Sequence, residues 1–261
     1  MSVVLAIVLL ALLCAGAMAL AWRVVVTTGN NGWTDAFWSF TVGAAGVLAA
    51  LGPLEGTQHT PRNWLVALLV AVWSGRLGLH ITGRTLRGKD DPRYAELRRG
   101  WGSKCKPQLF LFLQIQAGVA LVLAVAVLAA AHNPAPPGLG DAVGLLIAAI
   151  AIAGEATADH QLARFARDPA NSGKVCDTGL WAWSRHPNYF FEFLYWAALV
   201  PIAVGHAWGW VALAAPLMMF VLLRHVSGVP PLEQHMLRSR GAAFAAYQQR
   251  VPAFFPRPPR R

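Results

Sequence analysis

The sequence predicts an all-α, polytopic membrane protein with about seven transmembrane helices. Three observations predict this fold class: the composition, the length of the apolar segments and the placement of the basic residues. Of the 261 residues, 56% are hydrophobic and only 13% are charged, whereas a soluble domain carries about 25% charged residues. A soluble core of this size could not bury so many apolar side chains. The composition therefore excludes an ordinary soluble enzyme, a disordered protein and a secreted disulfide scaffold.

Apolar segments of about 20 residues are long enough to cross a bilayer as helices. The predicted spans are 2–22, 36–54, 63–83, 108–131, 142–160, 188–205 and 207–225. The first span is preceded by no basic residue, and the first charge, Arg23, follows it. Because a signal peptide carries basic residues before its apolar segment, we expect an uncleaved first helix.

The later spans carry features that suit membrane helices. Span two contains Gly43 and Gly46, small residues of the kind that let such helices pack closely. Span three carries Arg76 and span five carries Glu155, while span four carries Gln114 near its start. Pro187 opens span six, where the missing N–H of a first-turn proline costs no hydrogen bond.

Basic residues concentrate in alternate loops, which predicts the orientation of the chain. They cluster in 84–106, in 161–187 and in the tail from 224, whereas Arg62 is the single Lys or Arg of the intervening loops. Under the positive-inside rule, the basic segments face the cytoplasm. Seven spans then place the N-terminus outside and the C-terminus in the cytoplasm, and we interpret the net charge of +10 as topology rather than as nucleic-acid binding.

Ionisable side chains within spans suggest a polar cavity that opens to the cytoplasm. Arg76, Glu155 and Glu192 each lie toward the predicted cytoplasmic end of a span. A charged side chain at the centre of a span costs about 2.5–3.5 kcal/mol on insertion scales. The alternative is that each side chain extends to the membrane interface, where its charge stays hydrated.

The segment before span six has the chemistry of an anion site. Arg185 and His186 precede the predicted helix start at Pro187, where free N–H groups and the positive end of the helix dipole favour a phosphate. The alternative is an interfacial turn anchored by Trp181 and Trp183. No GxxxxGK[ST] motif is present, and no GxGxxG motif lies between a predicted strand and a helix. A bound nucleotide would therefore lie within the helical bundle.

Several motifs together resemble a known family. They are Ala158-Asp-His-Gln-Leu-Ala-Arg-Phe165, Asn171-Ser-Gly-Lys174, Gly179-Leu-Trp-Ala-Trp-Ser-Arg-His-Pro-Asn-Tyr-Phe-Phe-Glu192 and Val226-Ser-Gly-Val-Pro-Pro-Leu-Glu233, followed by Tyr247 and Pro256. Over roughly residues 35–256 the chain resembles the steroid 5α-reductase and sterol reductase superfamily. The segments Asp90-Asp-Pro-Arg-Tyr94 and Gly100-Trp-Gly102 look like its poorly characterised bacterial branch.

The resemblance implies an NADPH-dependent membrane reductase, with its cofactor on the cytoplasmic side and a lipid-soluble substrate that enters from the bilayer. It implies that the adenosine and phosphates lie against Asp159, Arg164, Arg167 and Lys174. It implies that the diphosphate and nicotinamide lie against Arg185, His186, Asn188, Tyr189 and Glu192. Further cofactor contacts are implied for Arg87, Asp91, Arg93, Tyr94, Glu233 and His235. It also implies a single membrane domain over 1–261, in which 1–60 supplies two spans and 61–261 a reductase-like core with a cytoplasmic tail.

The expected chemistry is hydride transfer to a C=C bond conjugated to a carbonyl. Arg76 would polarise the carbonyl, and Tyr94 or Glu192 would supply the acid. The steroid reductases hold the enone with a Gln-Glu pair on the second helix, and 36–54 contains no such pair. Reductase chemistry is therefore better supported than steroid specificity.

Two other function classes are compatible with the motifs. Isoprenylcysteine carboxyl methyltransferases carry a similar Arg-His-Pro motif, so an S-adenosylmethionine-dependent membrane methyltransferase is the alternative enzyme. A membrane scaffold whose polar motifs only fix helix ends is the third possibility. Apart from substrate and membrane lipids, no partner is indicated; we expect no nucleic acid and no metal, and the oligomeric state stays open. The expected location is a bacterial inner membrane.

Overall fold

The structure is a computed structural model that describes residues 1–88 and 101–259. Its helices are α1 (Val3–Thr28), α2 (Gly32–Leu51), α3 (Pro61–Leu86), α4 (Cys105–Ala131), α5 (Leu139–Arg167), α6 (Pro187–Ala197), α7 (Leu199–Ala203), α8 (Ala214–Val221), α9 (Val229–Arg240) and α10 (Ala242–Arg250). A π-helical turn, Leu222–Val226, follows α8. The described residues contain no β-strand. The prediction of an all-α, polytopic membrane protein is confirmed.

Helix boundaries follow from local chemistry. The Ser2 side chain accepts a hydrogen bond from the Leu5 amide at the start of α1 (3.3 Å), and Gly29, at φ 71°, ends the helix. At the start of α3, Asn63 Oδ1 accepts from the Thr60 amide (2.8 Å). The Asn63 amide in turn donates to the Thr60 carbonyl (3.1 Å), with Pro61 at the first helical position.

Among the described residues, six helical segments are long and apolar enough to cross a membrane. They are Val3–Thr28, Gly32–Leu51, Pro61–Leu86, Cys105–Ala131, Leu139–Arg167 and the interrupted run Gly209–Arg240. The first five match predicted spans one to five, and the last overlaps predicted span seven over residues 209–225.

Predicted span six differs from the structure, because it is divided into α6 and α7. Pro201 explains the break: it has no N–H to bond the Ala197 carbonyl four residues earlier, and its ring would clash with that carbonyl. A second interruption precedes α9, where Pro230 stands four residues after Val226, the last residue of the π-helical turn.

The described chain divides into two compact units. The first comprises Met1–Val143 with Leu199–Ala215, and the second comprises Gly144–Ala198 with Pro216–Arg261. In the first unit, α2 packs against α1, α3 and α4. Gly43 allows α2 to approach α3, because a methyl group there would overlap the Ser74 side chain.

A buried ion pair fixes the connection between α4 and α5 in the first unit. Arg62, 3% exposed, pairs with both oxygens of Asp141, with Nε–Oδ1 2.6 Å and Nη2–Oδ2 2.8 Å. Its guanidinium also donates to the carbonyls of Asn133 and Ala135, each at 2.6 Å. Asp141 in turn accepts from the Gly138 amide (2.8 Å). Arg62, which the sequence presented only as an isolated outer-loop cation, therefore organises this loop.

Candidate functional site

In the second unit, the turn Gly179–Ala182 is fastened to α5 by side chain to backbone hydrogen bonds. The Leu180 amide donates to Gln161 Oε1 (2.9 Å), and the Trp181 indole N–H donates to the Ala158 carbonyl (3.0 Å). Gly179 adopts φ 60°, and a Cβ atom there would lie 2.6 Å from the Gln161 side chain. Glycine is therefore required for two reasons: other residues rarely adopt this positive φ, and a side chain would overlap Gln161.

The C-terminal segment packs against the residues that follow this turn. The Arg185 amide donates to the Pro252 carbonyl, and the Arg257 amide donates to the Trp183 carbonyl, both at 2.9 Å. The Ser184 hydroxyl donates to the Phe254 carbonyl at the same distance. The segment 183–185 is thus held along the tail by backbone bonds, and the motif and the tail form one local structure.

Aromatic side chains provide the apolar part of this packing. Phe193 on α6 and Phe220 on α8 lie with ring centroids 5.9 Å apart. Phe254 of the tail inserts against both, at 5.9 Å and 5.4 Å, and meets Phe255 at 5.3 Å. Edge-to-face pairs of this kind add about 0.5–1.5 kcal/mol each beyond the area that they bury.

Arg185 and Glu233 form the ionic centre of this local structure. Arg185 Nε and Nη2 donate to the two Glu233 oxygens at 2.7 and 3.1 Å, and Nη1 donates to the carbonyls of Gln248 (3.0 Å) and Val251 (2.5 Å). Gln248 Nε2 also donates to Glu233 (2.7 Å). The side chains of Arg185 and Glu233 are 11% and 12% exposed. Most of the N–H donors of Arg185 are therefore bonded within the protein. An arginine that binds a phosphate would instead leave them accessible to the ligand.

His186 completes the centre. Its Nε2 lies 3.0 Å from Glu233 Oε1, and its ring stacks on Tyr189 with centroids 5.4 Å apart and planes 8° from parallel. The His186 amide donates to the Ser184 hydroxyl (3.1 Å), which fixes the start of α6. Burial, with the neighbouring charges of Arg185 and Arg224, lowers the pKa of His186 despite the opposing effect of Glu233. The imidazole is therefore neutral at pH 7.

The first turns of α6 carry the remaining polar residues of the motif. Asn188 Nδ2 lies 3.4 Å from Asp159 Oδ1 on α5, a contact that joins two of the predicted cofactor residues. Glu192 is 6% exposed and accepts a hydrogen bond from the Trp196 indole N–H (2.9 Å). The buried carboxylate predicted for this helix is therefore present.

A polar cleft of about 410 Å³ lies at the end of α5. It is lined by Gln161, Arg164, Phe165, Asp168, Asn171, Thr178 and Gly179. Arg164 offers a guanidinium, Phe165 an aromatic face, and the remaining side chains hydroxyl, amide and carboxylate groups. Within this set, Arg164 suits a phosphate and Phe165 suits a planar base, because a guanidinium pairs with phosphate and an aromatic face stacks on a base. The Asp168 carboxylate suits a hydroxyl donor instead, because it only accepts hydrogen bonds.

The other predicted site residues have different surroundings. Arg167, Lys174 and His235 are exposed in the second unit. Arg76 is half-buried on α3 in the first unit, and Arg87 is exposed directly after that helix. Asp91, Arg93 and Tyr94 lie outside the described residues. Their proposed roles stay predictions.

Several residues of the site were not singled out from the sequence, among them Asp168 and Thr178 of the cleft. Gln248 stands in a polar tail where no motif marks it, and only the packing of α10 brings it to Glu233. Gln161 lies inside the Ala158–Phe165 motif, so its position was visible, but its role in holding the Gly179–Ala182 turn depends on a contact 19 residues away in sequence.

A comparison with protein families places the chain. A model described as "Protein of unknown function (DUF1295)" matches residues 21–251. The chain belongs to the DUF1295 family. This family is steroid 5α-reductase-like in general, as the sequence motifs predicted. No solved structure matches this DUF1295 chain.

A relative is an uncharacterized protein of Schizosaccharomyces pombe. It is 26% identical over 266 aligned positions, which cover 90% of the DUF1295 chain and 75% of the relative.

Proposed function

We propose that this protein is an NADPH-dependent membrane reductase that reduces a C=C bond conjugated to a carbonyl in a steroid-like or other lipid-soluble substrate. The observation that carries the proposal is the polar cleft beside α5. Gln161, Arg164 and Phe165 come from one motif of the predicted cofactor region, and Gly179 begins another. Membership of a steroid 5α-reductase-like family supports the same chemistry.

The residues of the cleft fit part of such a cofactor. Phe165 can stack on a base, and Arg164 can pair with a phosphate oxygen. Arg167 and Lys174 are exposed cations within a few residues of the cleft in sequence, which favours the additional 2′-phosphate of NADPH over NADH. Arg185 joins the segment before α6 to Glu233 on α9, and its predicted contact with the cofactor stays part of the proposal.

Bound NADPH would supply the hydride. The protein would orient the substrate against the nicotinamide and donate a proton. Glu192 is the candidate acid in the second unit, because its carboxyl group is buried and the hydrogen bond from the Trp196 indole N–H holds it in one orientation. Arg76 keeps its proposed role of polarising the substrate carbonyl, and Tyr94 stays the alternative acid. We expect the substrate to enter the protein from the bilayer, and we expect membrane lipids to surround the protein.

The proposed orientation places the N-terminus outside and the C-terminus in the cytoplasm, in a bacterial inner membrane. The basic segments 161–187 and 224–261 support it, because alternate loops are nearly free of Lys and Arg. The proposed cofactor cleft then faces the cytoplasm, where NADPH is available.

Transfer of label from the cofactor tests the proposal without knowledge of the substrate. Purified protein in lipid nanodiscs would be incubated with a membrane lipid extract and with NADPH deuterated at C4 of the nicotinamide, on each face in turn. From one of the two faces we expect deuterium in a new C–D bond of one lipid, a solvent proton on the adjacent carbon, and an equal amount of NADP⁺. Glu192→Gln should reduce transfer about 10²–10⁴-fold.

Arg257→Gln is the matched control, because this exposed cation lies in the tail and its side chain is not part of the cleft. It should transfer deuterium at the unmodified rate. A parallel reaction with methyl-deuterated S-adenosylmethionine provides the opposing outcome: a labelled methyl group in the lipid fraction, without transfer from NADPH, would replace the reductase with a methyltransferase.

A further inference from the structure

The first unit carries an apolar groove of about 410 Å³ along one face of α2. Its floor consists of Trp33, Ala36, Phe37, Phe40, Thr41 and Ala44. Leu13 and Ala17 of α1 border the groove, and so does Thr82 of α3. Phe40 is 42% exposed, although α2 is long and apolar enough to cross a membrane. The groove therefore opens to the hydrocarbon of the bilayer rather than to water.

The groove lies on a different face of α2 from those that pack against α3 and α4. Gly43 lies against α3, and the Trp38 indole N–H donates to the Gln116 carbonyl of α4 (3.2 Å). At about 100° of rotation per residue, the groove face between Phe40 and Ala44 lies about 80° from Gly43 and about 140° from Trp38. A molecule in the groove would therefore add to the helix packing of the first unit without displacing it.

The groove is also distinct from the proposed reaction site. On α3, Thr82 follows Arg76 by six residues, a rotation that places the two side chains about 120° apart around the helix. The side of α3 that borders the groove is therefore not the side that carries the proposed carbonyl contact. The residues of the groove are also not those that line the polar cleft at the end of α5.

The dimensions and lining of the groove fit one extended hydrocarbon chain. Trp33 and Ala44 are 11 residues apart, which is about 16 Å along a helix. One leaflet supplies half of a hydrocarbon core of about 30 Å. The Thr41 hydroxyl is already bonded to the Phe37 carbonyl (2.7 Å), so it presents no free donor to the groove. The groove thus matches the depth and the polarity of a single acyl chain.

The Trp33 end of the groove is basic. The Asn30 side-chain amide donates to the Thr85 carbonyl (3.0 Å), which places the end of α3 beside the start of α2. Arg84 and Arg87 are exposed at this end of α3. Cations at the end of a membrane helix attract anionic lipid head groups. The charge at this end therefore complements the head group of an anionic lipid whose chain lies in the groove.

We propose that the groove on α2 is a binding site for one anionic phospholipid, with an acyl chain between Trp33 and Ala44 and the head group beside Arg84 and Arg87. The bound lipid is a lasting part of the first unit and not a substrate. This inference goes beyond the proposed function, because it depends on no residue of the cleft and on no nucleotide.

Native mass spectrometry of delipidated protein tests the site. The protein in detergent would be titrated with phosphatidylglycerol and with phosphatidylcholine of identical acyl chains, and we expect phosphatidylglycerol to bind more tightly. Ala44→Phe fills the groove from an exposed position and should weaken binding at least tenfold. Ala149→Phe, the same change at an exposed position of α5, is the matched control and should bind as the unmodified protein does. Arg84→Gln should reduce the preference for phosphatidylglycerol about fivefold, the equivalent of about 1 kcal/mol.

Photochemical cross-linking tests the position of the chain. Phosphatidylglycerol with a diazirine at the end of one acyl chain should label Leu13, Ala17 or Ala44, and Ala44→Phe should abolish this labelling. Labelling spread evenly over the exposed faces of α1–α5 would show ordinary solvating lipid and overturn the proposal. Equal binding by Ala44→Phe and Ala149→Phe would also overturn it, and equal affinity for the two lipids would contradict the anionic head group. Cross-links between two copies of the chain through the groove would replace the lipid site with a dimer interface.

Discussion

Glu233→Ala is expected to destabilise the second unit by about 3–5 kcal/mol, because it leaves the Arg185 guanidinium buried without its counterion. Arg185 is 11% exposed, and both oxygens of Glu233 now accept from it. The same substitution removes the acceptor of His186 and Gln248. The loss would be measured as the free energy of unfolding in detergent, together with hydrogen exchange of the amides in 242–257.

Asp177→Ala is the matched control in the same unit. Asp177 also pairs with an arginine, Arg250, at 3.1 Å, but these side chains are 39% and 62% exposed. Exposed pairs contribute little, so this variant should stay within about 0.5 kcal/mol of the unmodified protein. If the free energy of unfolding of Glu233→Ala equals that of Asp177→Ala, the Arg185–Glu233 pair does not hold the tail.

The second large effect is expected in the first unit, where Arg62→Met should cost about 3–5 kcal/mol. Methionine leaves Asp141 without its bidentate partner and the carbonyls of Asn133 and Ala135 without a donor. The double variant Arg62→Met, Asp141→Leu should recover part of this loss, since no unpaired charge then remains buried. Thermal unfolding of the three proteins would measure the effect.

Glu55→Gln serves as the comparison for Arg62. Glu55 pairs with the N-terminal amine at 3.7 Å and its side chain is 75% exposed, so we expect little change in stability. If Arg62→Met unfolds at the same temperature as Glu55→Gln, the buried pair does not organise the loop between α4 and α5.

Much of the fold was predictable because the length of an apolar segment directly limits whether it can cross a bilayer. The division of span six was not predicted, although Pro201 was visible within it. The hydrophobicity of 188–205 favoured a continuous helix, and the proline, which removes one backbone hydrogen bond, prevented it.

The sequence predicted which residues belong to the candidate site better than it predicted the contacts between them. Arg185, His186 and Glu233 were all expected near a cofactor, but the sequence could not show that Glu233 joins the other two. These residues are separated by 48 and 47 positions, so their contact depends on how α9 and the tail pack against α6. The Arg62–Asp141 pair, 79 positions apart, was missed for the same reason.

The central claim, that this chain is an NADPH-dependent enzyme, is tested most directly by equilibrium binding to the purified protein. NADPH, NADH and S-adenosylmethionine would be titrated into nanodisc-embedded protein, with binding followed by calorimetry and by the rise in unfolding temperature. The account predicts saturable binding of NADPH, weaker binding of NADH and no binding of S-adenosylmethionine. Saturable binding of S-adenosylmethionine alone, or of none of the three, would contradict it.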